Sequence, residues 1–179
     1  EDAMPEKLDL KKELKHLYKP SAREPLIVDV PDMHFLMMDG AGNPNTSPAY
    51  QQAVEALYGV AYTLKFTSKK KLGRDYVVMP LEGLWWGTPM GQHTFTEADK
   101  DQFIWTMMIM QPDFITAEMV AEATAETARK KGLPNLDKLR FEAFEEGLSV
   151  QILYLGSYDD EGPTIANMHQ FAFDQGYQL

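Results

Sequence analysis

The sequence predicts an α+β fold: a mostly antiparallel sheet with its helices on one face. Strand-like and helix-like runs follow one another in the order strand, helix, strand, strand, helix, strands, helix, so strand–helix–strand–strand is completed once and begun again. The triplet Glu82-Gly83-Leu84 returns as Glu146-Gly147-Leu148, 64 residues later, a spacing that fits two related halves. Only three substantial helices are available to cover strands that are apolar on both faces.

Composition narrows the function classes. A chain of 179 residues with 44% hydrophobic content is one domain, or two small pseudo-repeats sharing a core. Seventeen basic against 27 acidic residues give a formal charge of −10. Nucleic-acid binding rests on clustered cations that release counterions, so direct binding of nucleic acid is not expected. A cationic or neutral organic molecule is the better guest for an acidic protein. The absence of cysteine removes disulfides, thiolate zinc sites and cysteine nucleophiles. No apolar run approaches a membrane span, and the N-terminus has no signal-peptide pattern, so the expected location is cytoplasmic.

The elements follow in order. Residues 5–19 carry Leu10, Leu14 and Leu17 at helical spacing among charges and read as an amphipathic arm, cut off by Pro20 and Pro25. Residues Ile27 to Met38 are strand-like and end in the loop "DGAGNPN". Ser47-Pro48 starts a helix whose stripe is Ala53, Leu57, Val60, Ala61 and Leu64; it runs to about Phe66, with "TSKKKLGRD" as a basic loop. "YVVMPLEGLWW" reads as a strand with Pro80 at an edge or bulge, and "FIWTMMIMQP" as another. Thr116 caps a helix that ends near Gly132. "KLRFEAFEEGLSVQILYLGSY" is a strand pair or one strand bulged at Glu146-Gly147, and "PTIANMHQFAFDQG" is a proline-started helix. The organisation is therefore an arm over 1–20 and a domain over 21–179, with halves at about 27–111 and 112–179.

The candidate chemistry lies in aromatics and acids. Neighbours on a strand point to opposite faces, so Trp85 and Trp86 do not both enter one core layer. Either protein covers both faces, or one tryptophan lines a pocket on an uncovered face rich in Trp, Phe and Met. Glu146 sits among aromatic and aliphatic residues, as a solvent-facing edge acid or as a buried acid that recognises a cation or transfers protons. Glu82 has the same two readings, with the structural one favoured. The four histidines are scattered without ligand spacing, and "DGAGNPN" lacks a nucleotide-loop context, so neither a metal nor a cofactor is called for.

Taken together, "MHFLMMDGAGNPN", "YQQAVEALYGVAYTLKF", "YVVMPLEGLWW", "FIWTMMIMQPDFIT" and "FEEGLSVQILYLGSYDDEGPTIANMHQF", in this order from Lys19 to Gly176, resemble the GyrI-like small-molecule-binding domain family. The resemblance implies tandem strand–helix–strand–strand modules with pseudo-twofold symmetry and a cleft for bulky apolar, often cationic, molecules. Relatives include effector domains of AraC-type and multidrug-responsive regulators, a gyrase inhibitor, and hydrolases that open the cyclopropane of DNA-alkylating natural products. It also implies that the family's tryptophans fall on Trp85 and Trp86 and its buried acid on Glu146. Tyr154 stands where the family usually has histidine and Ser157 where it has proline. The family's further strand of the type "HHEIYLSDP" is not reached by Leu179, so the second module is expected to be incomplete.

The expectation is thus a free-standing, cytoplasmic small-molecule-binding protein, rather than a DNA-binding regulator. Its ligand residues are Trp85, Trp86, Phe103, Trp105, Tyr154 and Tyr158, with Glu146 as the charged anchor. The alternatives are a detoxifying cyclopropane hydrolase using Glu146 and Tyr154, and a protein-binding gyrase inhibitor.

Overall fold

The computed structural model describes residues 6–86 and 97–179, with the backbone alone for Trp86 and residues 97–99. In chain order the elements are two short turns, α1 (Leu10–Glu13) and α2 (Lys15–Tyr18), then β1 (Leu26–Ala41), α3 (Pro48–Leu72), β2 (Leu81–Trp86), β3 (Ile104–Met110), α4 (Ala117–Lys131), β4 (Arg140–Gln151) and α5 (Gly162–Asp174). One four-stranded sheet has the order β2-β3-β1-β4, with every pairing antiparallel.

Local chemistry explains most boundaries. Thr116 caps α4 by accepting from the Met119 amide, and Gly132, at φ 57°, closes it in the left-handed conformation glycine favours. Helix α3 runs past Phe66 to Leu72, because lysines propagate a helix well and the first left-handed residue is Gly73, at φ 65°. The "TSKKK" run is therefore helix, not loop. The arm is two turns rather than one helix. Leu14 leaves helical geometry between them, which so short a segment permits because tertiary contact, not propensity, holds it. Strand β2 starts only after Pro80, while Tyr76 pairs singly with Leu8 of the arm.

The first strand–helix–strand–strand module is complete as β1, α3, β2 and β3; the described part of the second contributes β4 and α5. Strand β4, the counterpart of β1, pairs directly with it, so both modules share one sheet. The Glu-Gly-Leu triplets consequently lie on non-equivalent strands, one on the second strand of the first module and the other on the strand that opens the second. Their glycines differ too: Gly147 has φ 72°, whereas Gly83 is not in the left-handed region. The recurrence does not trace a duplication.

Helix α3 covers the face carrying Trp105, Met107 and Ile109, into which Ala56, Leu57, Val60 and Leu64 pack. Trp105 is 1% exposed, its indole N–H donates to the Gly42 carbonyl at 3.2 Å, and its ring meets Tyr50 of α3 edge-on at 5.4 Å. Burying an indole removes roughly 200 Å² from water, a gross contribution of about 5 kcal/mol. Gly40, its cross-strand partner, leaves the space for it. A β-carbon at Gly40 would lie 2.1 Å from the indole Cη2.

The opposite face is not bare, as too few helices would suggest. Leu10, Leu14, Leu17 and Tyr18 of the arm pack against the core there, and the Tyr18 hydroxyl lies 3.4 Å from the Met110 Sδ. The arm is tied by the Leu8 amide to the Asp75 carbonyl at 3.1 Å and the Val77 amide to the Leu8 carbonyl at 2.8 Å. Asp75 itself is held by Lys65 and Lys69 of α3, which bring its carboxyl down to about 2, the hydrogen bond from Lys65 being the main cause. The sheet is thus sandwiched between α3 and α4 on one side and the arm on the other.

Gly40→Ala should overpack this layer and destabilise the protein by about 1–3 kcal/mol. Urea denaturation measures it, and an unmoved midpoint at unchanged slope would contradict the packing described.

Candidate ligand-binding site

Strand alternation fails at one place, and the site is there. In the β1–β4 ladder Val30 pairs with Gly147 and Asp32 with Glu145, while Pro31, which has no N–H to donate, drops out opposite Glu146. Gly147 takes up the irregularity in its left-handed backbone. Val28, Val30 and Met33, which strict alternation would divide between the faces, line one cavity of about 300 Å³. Leu17 and Tyr18 of the arm, Pro80 and Glu82 of the β2 side, and Glu146, Ser149 and Gln151 of β4 complete its wall.

Two carboxylates therefore meet in one space of mixed polar and aliphatic lining. Glu82 is part-buried and accepts a hydrogen bond from the Tyr18 hydroxyl at 2.8 Å. Burial raises the Glu82 carboxyl above the ordinary range; the Tyr18 bond works against this, and the charge of Glu146 adds to it. Burial likewise pushes the Tyr18 phenol well up, with Glu82 contributing, so the shared proton stays on tyrosine. Glu146 is exposed at the rim. The roles expected for the two acids are thus exchanged: Glu82 is the buried one and Glu146 opens to solvent. The reason is tertiary, since only the arm shields β2 on this face.

The aromatic residues fall elsewhere. Trp85, Phe103 and Trp105 do come together, but on the helix-covered face: Trp85 meets Phe103 at 5.9 Å and Tyr50 at 5.9 Å. Gly83 lets the Trp85 indole fold back, since a β-carbon there would lie 2.5 Å from its Nε1. Phe103 and Trp105 are buried core, Trp85 packs part-buried beside them, and none of the three lines the cavity with Glu82 and Glu146. The Trp86 side chain lies outside the described residues. Tyr154 is half-buried against Gly156, whose lack of a β-carbon admits the phenol oxygen. Burial, then the charges of Asp160 and Glu161, raise its phenol. Tyr158 is 82% exposed on a turn anchored by an ion pair from Lys100 to Asp159. Neither tyrosine lines the cavity with Glu146. Leu17 and Tyr18 are the functional candidates that sequence reading missed. The leucine spacing marked the arm, but nothing local places Tyr18 beside Glu82.

A second cavity, of about 380 Å³, lies between the Ile27/Leu148/Val150 face and α5. Its lining, with Met168, Ala172 and Tyr177, holds no acidic side chain among the described residues, so the cavity with Glu82 and Glu146 is the better candidate.

The raised Glu82 carboxyl has a consequence for stability. Its native form binds its proton more tightly than the unfolded chain, so its contribution is full below about 4.5 and is lost as pH rises through the native titration. Glu82→Gln should remove that loss and gain stability at neutral pH relative to the parent. Urea midpoints of parent and variant from pH 4 to 8 read this directly; parallel curves would refute it.

Comparison with known proteins agrees with the architecture. The GyrI-like small molecule binding domain matches residues 23–179. An uncharacterized conserved protein from Listeria innocua superimposes with a TM-score of 0.85 at 40% identity, covering 95% of this chain and 82% of that one. A hydrolase from the same organism gives 0.81 at 38% identity, covering 95% and 85%. A second Listeria innocua structure described as a hydrolase gives 0.84 at 39%, covering 96% and 82%. No curated protein is significantly similar. With its antiparallel sheet, its helix-backed core and a match over most of its length, the chain belongs to the GyrI-like small-molecule-binding domain family.

Proposed function

We propose that the protein binds a bulky apolar or cationic small molecule in the cavity between β1, β4 and the arm. The observation that supports this best is the convergence of Glu82 and Glu146 on one space whose wall combines the aliphatic Leu17, Val28, Val30 and Met33 with the polar Tyr18, Ser149 and Gln151. Its volume is at the lower end for small-molecule sites. Two acids without a basic residue among the described lining repel anions and favour a positive guest. At an effective dielectric of about 20, one carboxylate 4 Å from a cation contributes about 4 kcal/mol of attraction before desolvation is charged against it. Trp85, Phe103 and Trp105 are left out of this reading because they pack under α3.

Calorimetric titration with hydrophobic ammonium dyes and neutral polycyclics tests it. A cation should bind, and its affinity should rise with pH through the Glu82 titration, because the cation replaces a proton there. Glu146→Gln and Glu82→Gln should each weaken it by tenfold or more. No heat across a diverse panel would sink the reading.

A second reading is favoured by the two neighbours described as hydrolases. In it, the cavity opens the strained cyclopropane of a DNA-alkylating natural product, as the family resemblance implies. Water adds to the ring carbon and gives its proton to Glu146. The carbon–carbon bond breaks, its electron pair passes to the conjugated carbonyl oxygen, and the protonated Glu82 carboxyl supplies the proton that oxygen takes up. Hydrolysis of a cyclopropane-bearing indole dienone, followed by absorbance, should fall at least a hundredfold in Glu146→Gln with binding retained. Equal turnover in parent and variant would remove Glu146 from the chemistry.

A further inference from the structure

We propose that Tyr18, which precedes the segment matched by the family, is a specificity-determining residue that makes the cavity select cations bearing N–H donors over quaternary ones. The inference rests on the cation-binding reading above and adds to it the chemical class of the cation.

It follows from where the hydrogens of the lining side chains go. The Tyr18 hydroxyl donates to Glu82 Oε2 at 2.8 Å. The Ser149 hydroxyl donates to the Gly147 carbonyl at 3.1 Å, and the Gln151 amide donates to the His16 carbonyl at 2.9 Å. One amide hydrogen of Gln151 is the remaining uncommitted side-chain donor among these described residues. What faces the guest is therefore a set of acceptors: the Glu146 carboxylate, the second oxygen of Glu82, and the lone pairs of Tyr18 and Ser149. A guest that donates several hydrogen bonds satisfies them, whereas a quaternary ammonium offers charge alone and leaves the part-buried acceptors of Glu82, Tyr18 and Ser149 unpaired.

Tyr18 is the hinge of this arrangement because it spends its own hydrogen on Glu82 and so turns an oxygen, not a hydrogen, to the cavity. It also fixes the carboxylate that would otherwise stand buried without a partner. Its position is set independently of any guest. The arm is held by the Leu8 pairing with Asp75 and Val77, by the Gln151 bond to His16, and by the Leu153 amide donating to the Ser21 carbonyl at 3.0 Å.

Naphthylmethylammonium and its N,N,N-trimethyl counterpart share one ring and one charge and differ in N–H donors. Calorimetry at pH 7.5 on the full chain should show the primary ammonium bound at least tenfold more tightly by the parent. Tyr18→Phe keeps the ring and removes only the hydroxyl that bonds Glu82, and should bring that ratio to within about threefold, chiefly by weakening the primary ammonium. Glu82→Gln, which loses the charge and half the acceptors, should compress the ratio as well. A variant with parental far-ultraviolet dichroism and an unchanged ratio overturns the role of Tyr18. A parent that binds both cations equally overturns the donor preference while leaving cation binding intact. A parent that binds neither overturns both.

Discussion

The structure depends on β1 and on how its two edges are used. Sixteen residues extend over roughly 50 Å, and the strand is shared lengthwise: β4 pairs with Leu26–Met37 and β3 with Phe35–Ala41. Only around Phe35, Leu36 and Met37 is it bonded on both sides, and there it is most deeply buried. That doubly paired stretch fixes the register of the entire sheet, because a slip of one residue would exchange its two apolar faces. Beyond it the strand is bonded along one side and tolerates Pro31, a residue that central strands exclude. The irregularity at Pro31 and Gly147 is thus permitted by the topology, and it brings Glu146 and the valines of β1 around one space.

A sheet apolar on both faces needs two covers. On one side α3 and α4 provide a large one, locked by the fit of Trp105 over Gly40. On the other, the arm provides a small one, too short to be a helix by itself and held by backbone pairing at Leu8. The mismatch between a long sheet and a short cover leaves the cavity. Its polarity has the same origin: Glu82 stands where the arm ends, deep enough to resist ionisation and near enough to Tyr18 to be partnered.

Several features were legible from residue patterns because they are local. Thr116 and Gly132 bracket α4 by capping chemistry, Pro48 starts α3, and the alternating strands announce an antiparallel α+β sheet. The candidate site was less legible. The tryptophans were conspicuous by rarity, yet Trp85 and Trp105 pack with the core, because Gly83, two residues earlier on the same strand as Trp85, and Gly40, across the ladder from Trp105, make room for them. The repeated Glu-Gly-Leu suggested equivalent halves, whereas its copies occupy non-equivalent strands and meet at one cavity for a reason unrelated to repetition.

By itself the sequence determined the main element types, their order, both ends of α4, the start of α3 and the family, since caps, periodicity and turn residues act within a few positions of themselves. The tertiary structure alone decided which acid is buried and what lines the cavity. Burial is a property of what arrives from elsewhere in the chain. The cover over Glu82 comes from an arm 64 residues away, and its hydroxyl is the first partner that carboxylate meets.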